Sequence, residues 1–160
     1  MQLASLVAFI FVRENKKIHK RILYYFEMRI TRIEMQPTKP NPQPTFGYHT
    51  HLKDCWMAGK LPTVKKGIYG FPLTKKTVSN EHIIPYSKCH NSKEENIALA
   101  NKYINNLRGD KPIRDFLTKN QLIEYLIQFM GIKVKHKGKV FDGDRYIAGV
   151  LNTTKDLDLK

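Results

Sequence analysis

Between Val78 and Asp110 the chain reads VSNEHIIPYSKCHNSKEENIALANKYINNLRGD, and its polar residues have the types and intervals that a catalytic metal site can use. Glu81 and His82 stand together ahead of two isoleucines and Pro85. Asn96 lies 14 residues after His82 and opens a short apolar run, and Asn105 lies nine residues further on. Carboxylate and amide oxygens are ligands that hard divalent cations accept. A histidine, with a reference pKa near ~6.5, can take a proton from water at neutral pH.

The elements that would position these groups can be read around them. Thr77 to Ile84 has the β-branched content of a strand, and Pro85 stops it. The residues between Pro85 and Asn96 are polar and read as a surface loop. Ile97-Ala98-Leu99-Ala100 makes a second short strand, after which the spacing turns helical. On a helical wheel Ala100, Tyr103, Ile104 and Leu107 share one face. Asn101, Asn105 and Arg108 line one edge of it, Asn106 falls on the other flank, and Gly109 suits the C′ position. The order is strand, loop, strand, helix. Adjacent residues of a regular strand point to opposite faces, so Glu81 and His82 can serve one site only where the strand bulges or ends.

This segment resembles the HNH endonuclease family. The family's Asp-His or Glu-His pair, two apolar residues and Pro are matched by Glu81-His82-Ile83-Ile84-Pro85. Its middle Asn and apolar run are matched by Asn96-Ile97-Ala98-Leu99, and its final His or Asn by Asn105 ahead of Arg108-Gly109. The intervals are similar to those in the HNH domains of CRISPR-guided nucleases, which also end in Asn. The likeness covers residues 77–112, about a fifth of the chain.

The resemblance implies an α+β fold with a small ββα-metal core flanked by helices. It also implies hydrolysis of DNA phosphodiester bonds, by nicking or cutting. Glu81 and Asn105 would hold Mg²⁺ or Mn²⁺, His82 would act as general base, and Asn96 would brace the loop that orients His82. Asn105 thus counts among the catalytic residues with His82 and Asn96. Arg108, with Lys102 and Lys88, would contact phosphate oxygens. Many family members bind a structural zinc through two C-x-x-C pairs; Asn101 and Ile104 stand where the second pair would fall, so no structural zinc is expected. One ββα unit supplies one metal, so a double-strand break would need a homodimer or two nicks.

The remaining chain fits a supporting role. Lys and Arg number 28 against 14 Asp and Glu, a formal charge of +14 that favours a polyanionic partner, with DNA first and an acidic membrane surface second. An apolar fraction of 41% is enough for a core and argues against global disorder. Two cysteines, Cys55 and Cys89, make neither a disulfide framework nor a four-thiolate zinc site, so a reducing compartment, the cytoplasm, is the default.

Leu3 to Val12 is apolar for only about half the ~20 residues a membrane helix needs and lacks signal-peptide flanks, so a buried strand or helix is the better reading. Apolar residues from Ile18 to Ile33 space as an amphipathic helix, and residues 1–35 form a segment that internal starts at Met28 or Met35 would make dispensable. Four prolines within residues 36–45 mark an extended linker, and residues 46–155 form the predicted nuclease domain.

Inside that domain, residues 46–61 suit a helix, residues 63–73 read as short strands around a Lys66-Gly67 turn, and Thr118-x-x-Gln121 is a capping box opening an apolar helix to Gly131. Ile132 to Lys139 alternates apolar with basic, as an edge strand or loop whose lysines face out. Phe141 to Asp144 reads as a turn and Tyr146–Leu151 as a short helix. His49, His51 and Cys55 tempt a metal reading but lack a fourth ligand at finger-like spacing, and Cys89-His90 reads as a loop tip. Two rivals to a nuclease stand: a catalytically inactive basic nucleic-acid-binding protein, and a membrane-surface protein using the N-terminal run. The DNA site, and a role in homing, restriction, packaging or defence, stay open.

Overall fold

The computed structural model describes residues 51–160, in which five helices accompany two antiparallel strand pairs, an α+β arrangement. The apolar run at 3–12, the helix predicted within 1–35, the linker at 36–45 and His49 lie outside the described residues. Helix α1 (His51–Met57) leads through a long loop to β1 (Val78–His82). A short helix α2 (Tyr86–Cys89) and a 3-10 turn (Glu94–Asn96) precede β2 (Ile97–Asn101), which runs directly into α3 (Lys102–Arg108). Then come α4 (Lys119–Ile127), the hairpin β3 (Lys133–His136) and β4 (Lys139–Asp142), and α5 (Gly143–Thr154).

β1 and β2 pair antiparallel in unbroken register, from Val78 opposite Asn101 to His82 opposite Ile97. Ile97, Ala98, Leu99 and Ala100 are all buried, so β2 is covered on both faces and forms the centre of the core. Its outer edge is closed by side chains. Tyr125 Oη accepts from the Leu99 amide (2.9 Å), Tyr146 Oη donates to the Ile97 carbonyl (2.7 Å), and the two hydroxyls lie 2.8 Å apart. The Ile68 amide takes the Leu99 carbonyl at 2.8 Å. A buried strand edge with unpaired backbone groups would be costly, and the two tyrosines meet that need while their rings fill the core beside Phe129 and Phe141.

The capping box is present: Thr118 Oγ1 accepts from the Gln121 amide and Gln121 Oε1 from the Thr118 amide. Three local expectations differ. Residues 63–73 form turns with a single Lys66–Pro72 bridge in place of strands. Gly67 lies so close to β2 that a Cβ would sit 2.9 Å from the Leu99 carbonyl oxygen, and Gln128 takes the Lys65 and Lys66 amides. The polar 86–95 segment contains α2. At 141–144 the chain makes no free turn, because β4 runs to Asp142, whose carboxylate caps α5 at the Asp144 and Arg145 amides.

Candidate active site

The outer edge of β1 is closed by α3, and the residues that close it are those the sequence singled out. Asn105 Nδ2 donates to the Asn80 carbonyl (2.9 Å) and to Ser79 Oγ (3.1 Å). Arg108 donates from Nη1 to the His82 carbonyl (2.7 Å) and from Nη2 to the Ile83 carbonyl (2.8 Å). Asn101 caps the same helix by accepting the Tyr103 amide. The polar edge of α3 therefore faces the protein. The apolar face is divided: Ala100 is buried and Ile104 half-buried, but Tyr103 and Leu107 are each 63% exposed. A two-turn helix laid along a strand edge presents donors to carbonyls, and that requirement outweighs the burial of two apolar side chains.

Because the Asn80 carbonyl can only accept, it fixes which end of the Asn105 amide points at β1. Asn105 Oδ1 is turned away from that contact, and among the described residues none donates to it. An amide oxygen held in this way can bind a hard cation.

Glu81 is buried beneath this edge, with Tyr69 Oη donating to Oε2 (2.8 Å) and Arg108 Nη1 lying 3.1 Å from Oε1. Burial pushes its carboxyl above the ordinary value, and the Arg108 charge and the Tyr69 hydrogen bond oppose that only in part. A carboxylate has about four lone-pair sites, so the Tyr69, Arg108 and His82 backbone donors leave capacity for one cation contact. Burial also drives the Tyr69 hydroxyl well above its usual range, so it stays a donor.

His82 closes β1. With regular pairing at Glu81–Ala98 and His82–Ile97, the two side chains leave opposite faces of the strand, and no bulge brings them together. The His82 ring packs against Tyr86 at 5.6 Å between centroids, and its Nε2 lies 3.0 Å from Ser92 Oγ. Asn96, fully buried, fastens the loop that carries Ser92. Its Oδ1 accepts the Ile84 amide (2.8 Å) and its Nδ2 donates to the carbonyls of Ile84 (3.0 Å) and Asn91 (2.8 Å).

Arg108 corrects an expectation. Only 1% exposed, it gives Nε to the Lys111 carbonyl and its other nitrogens to Glu81, His82, Ile83 and Tyr69, so it braces the site from within instead of facing phosphate. Lys88 is exposed and Lys102 half-buried, its Nζ 5.1 Å from the Tyr103 ring centroid. Tyr69 and Ser92 carried no signal in the sequence, one lying in a loop read as strands and the other in a polar loop. Asn80 Oδ1 is buried and meets no donor, a cost with no counterpart among the described residues.

The other suggestive clusters are local. His51 and Cys55 touch each other at 3.6 Å. Cys89 Sγ is turned to the Ile84 and Pro85 carbonyls. Among the described residues no three His, Cys, Asp or Glu side chains are grouped to hold a metal, and no helix is long and apolar enough to cross a membrane. Set against models of known families, curated proteins and solved structures, the chain matches none.

Proposed function

We propose that the chain is a metal-dependent endonuclease of HNH type, acting on DNA phosphodiester bonds at the outer edge of β1, with β1, β2 and α3 as its ββα-metal core. The observation that carries this is Asn105, pinned by the Asn80 carbonyl over that edge with Oδ1 unclaimed by any described donor. Glu81 and His82 leave opposite faces of β1, but a group lying along the strand's edge can be approached from both. That edge is where Asn105 lies.

In this reading Asn105 Oδ1 and the Glu81 carboxylate hold Mg²⁺ or Mn²⁺, oxygen donors suited to a hard cation. When bound, the ion supplies Lewis-acid stabilisation of charge on the phosphate and the leaving oxygen. His82 accepts the proton of the attacking water, with Ser92 and Tyr86 fixing its ring and Asn96 fixing the loop beneath. Arg108 offsets the buried Glu81 charge and ties β1 to α3. Lys88 and Lys102 supply phosphate contacts.

Plasmid cleavage tests the metal requirement. Supercoiled DNA should become nicked or linear with Mg²⁺ or Mn²⁺ and stay intact with EDTA. DNA that is retarded in a gel yet uncut with either metal would favour the inactive binding protein instead.

A further inference from the structure

The β3–β4 hairpin takes no part in the site described above. Its two strands pair only with each other, from Lys133 opposite Asp142 to His136 opposite Lys139. One face packs inward: Phe141 is fully buried, in ring contact with Phe129 and Tyr146, and His136 stacks on His51 at 6.3 Å. The other face is open. Lys133, Lys135 and the tip residue Lys137 are exposed, and Val140, directly opposite Lys135, is 58% exposed. Among the described residues neither Lys133 nor Lys135 is in an ion pair. Lys137 lies 3.9 Å from Asp54, an exposed pair that water screens. Asp142, across from Lys133, is occupied in capping α5.

We propose that this open face is a docking ribbon for double-stranded DNA, with Lys133, Lys135 and Lys137 on backbone phosphates and Val140 covered in the groove between them. The major groove, ~12 Å wide, admits a two-stranded ribbon, and paired strands lie only ~4.8 Å apart. The net charge of +14 supplies complementarity to a polyanion. Edge protection also places lysines on a strand; duplex DNA is favoured as the occupant by three cations gathered on one open face, two of them in no ion pair among the described residues, in a chain of net charge +14. A lipid interface is a poorer occupant, because this face offers no Trp, Phe or Leu to insert. The inference stands apart from the nuclease reading, since binding through the hairpin needs no metal and no cleavage.

Binding of the whole chain to a fluorescent duplex, the matching single strand and vesicles of anionic lipid, all in EDTA, decides it. Lys133→Gln, Lys135→Gln and Lys137→Gln together should weaken duplex binding at least ~10-fold and lower the salt slope by about 2–3, at ~0.9 per phosphate contact. The same changes at the exposed Lys75, Lys76 and Lys155 should stay within ~2-fold. The proposal is overturned by hairpin variants that bind as wild type or no worse than the control set. It is overturned equally by single strand bound as tightly as duplex, or by hairpin lysines needed for vesicles and not for duplex. Wild type that leaves plasmid uncut with Mg²⁺ or Mn²⁺ while its binding in EDTA depends on the hairpin would sink the nuclease reading alone.

Discussion

The two strand pairs are close in length and opposite in construction. β1–β2 has both outer edges closed by side chains, Asn105 and Arg108 on β1, Tyr125 and Tyr146 on β2, each aimed at a backbone group. β3–β4 is anchored by one buried face and leaves the other to water, lysines and one exposed valine. Closing an edge with buried polar groups holds each of them in a defined place, which a site that must align a base, a ligand and a phosphate requires. An open cationic face tolerates variation in position, which suits contact with a uniform charged backbone.

That difference should appear as an ordered set of stability effects. Arg108→Met leaves the buried Glu81 without its cation and should cost about 3–5 kcal/mol. Adding Glu81→Gln should recover much of it, and a urea-melt cycle showing the two changes merely additive would break the coupling. Asn96→Ala removes three hydrogen bonds to backbone groups and should cost about 2–3 kcal/mol by the same melts.

Glu94, in the 3-10 turn ahead of β2, is held at about 7 against an ordinary 4.5, by burial first, with Asp142 and Glu95 adding and Arg145 opposing. A carboxyl raised on folding binds more protons folded than unfolded, so its contribution is full below about 4.5 and is lost as pH rises through about 7. Glu94→Gln should therefore stabilise by roughly 1–3 kcal/mol at pH ~8 and do little at pH ~4, as thermal melts at the two values would show. The hairpin lysine substitutions should move stability by less than ~0.5 kcal/mol, whatever they do to DNA binding.

The elements around β1 and β2, and the start of α4, were legible because their signals are local. Pro85 ends a strand, Thr118 and Gln121 cap a helix, and Gly109, with φ of 53°, closes α3 where the periodicity stops. The brace at Asn96 lay at a recognisable interval. What escaped depends on contacts distant in sequence. Tyr69 reaches Glu81 from a loop, and Arg108 was assigned to phosphate because nothing in its neighbourhood reveals a buried carboxylate and two strand carbonyls. Tyr103 and Leu107 have helical spacing that signals burial, yet α3 is too short to satisfy both a strand edge and an apolar face. The alternation of Ile132 to Lys139 was readable in β3; the turn at Lys137 and Gly138 and the return strand β4 were not.

His82→Ala tests whether His82 takes a proton from water at the edge of β1. With Mg²⁺ and supercoiled plasmid, wild type should cleave, and the variant, melting as wild type does, should be slower by ~10²–10⁴-fold. Equal cleavage by the two proteins, or none by wild type with either metal, would contradict that role.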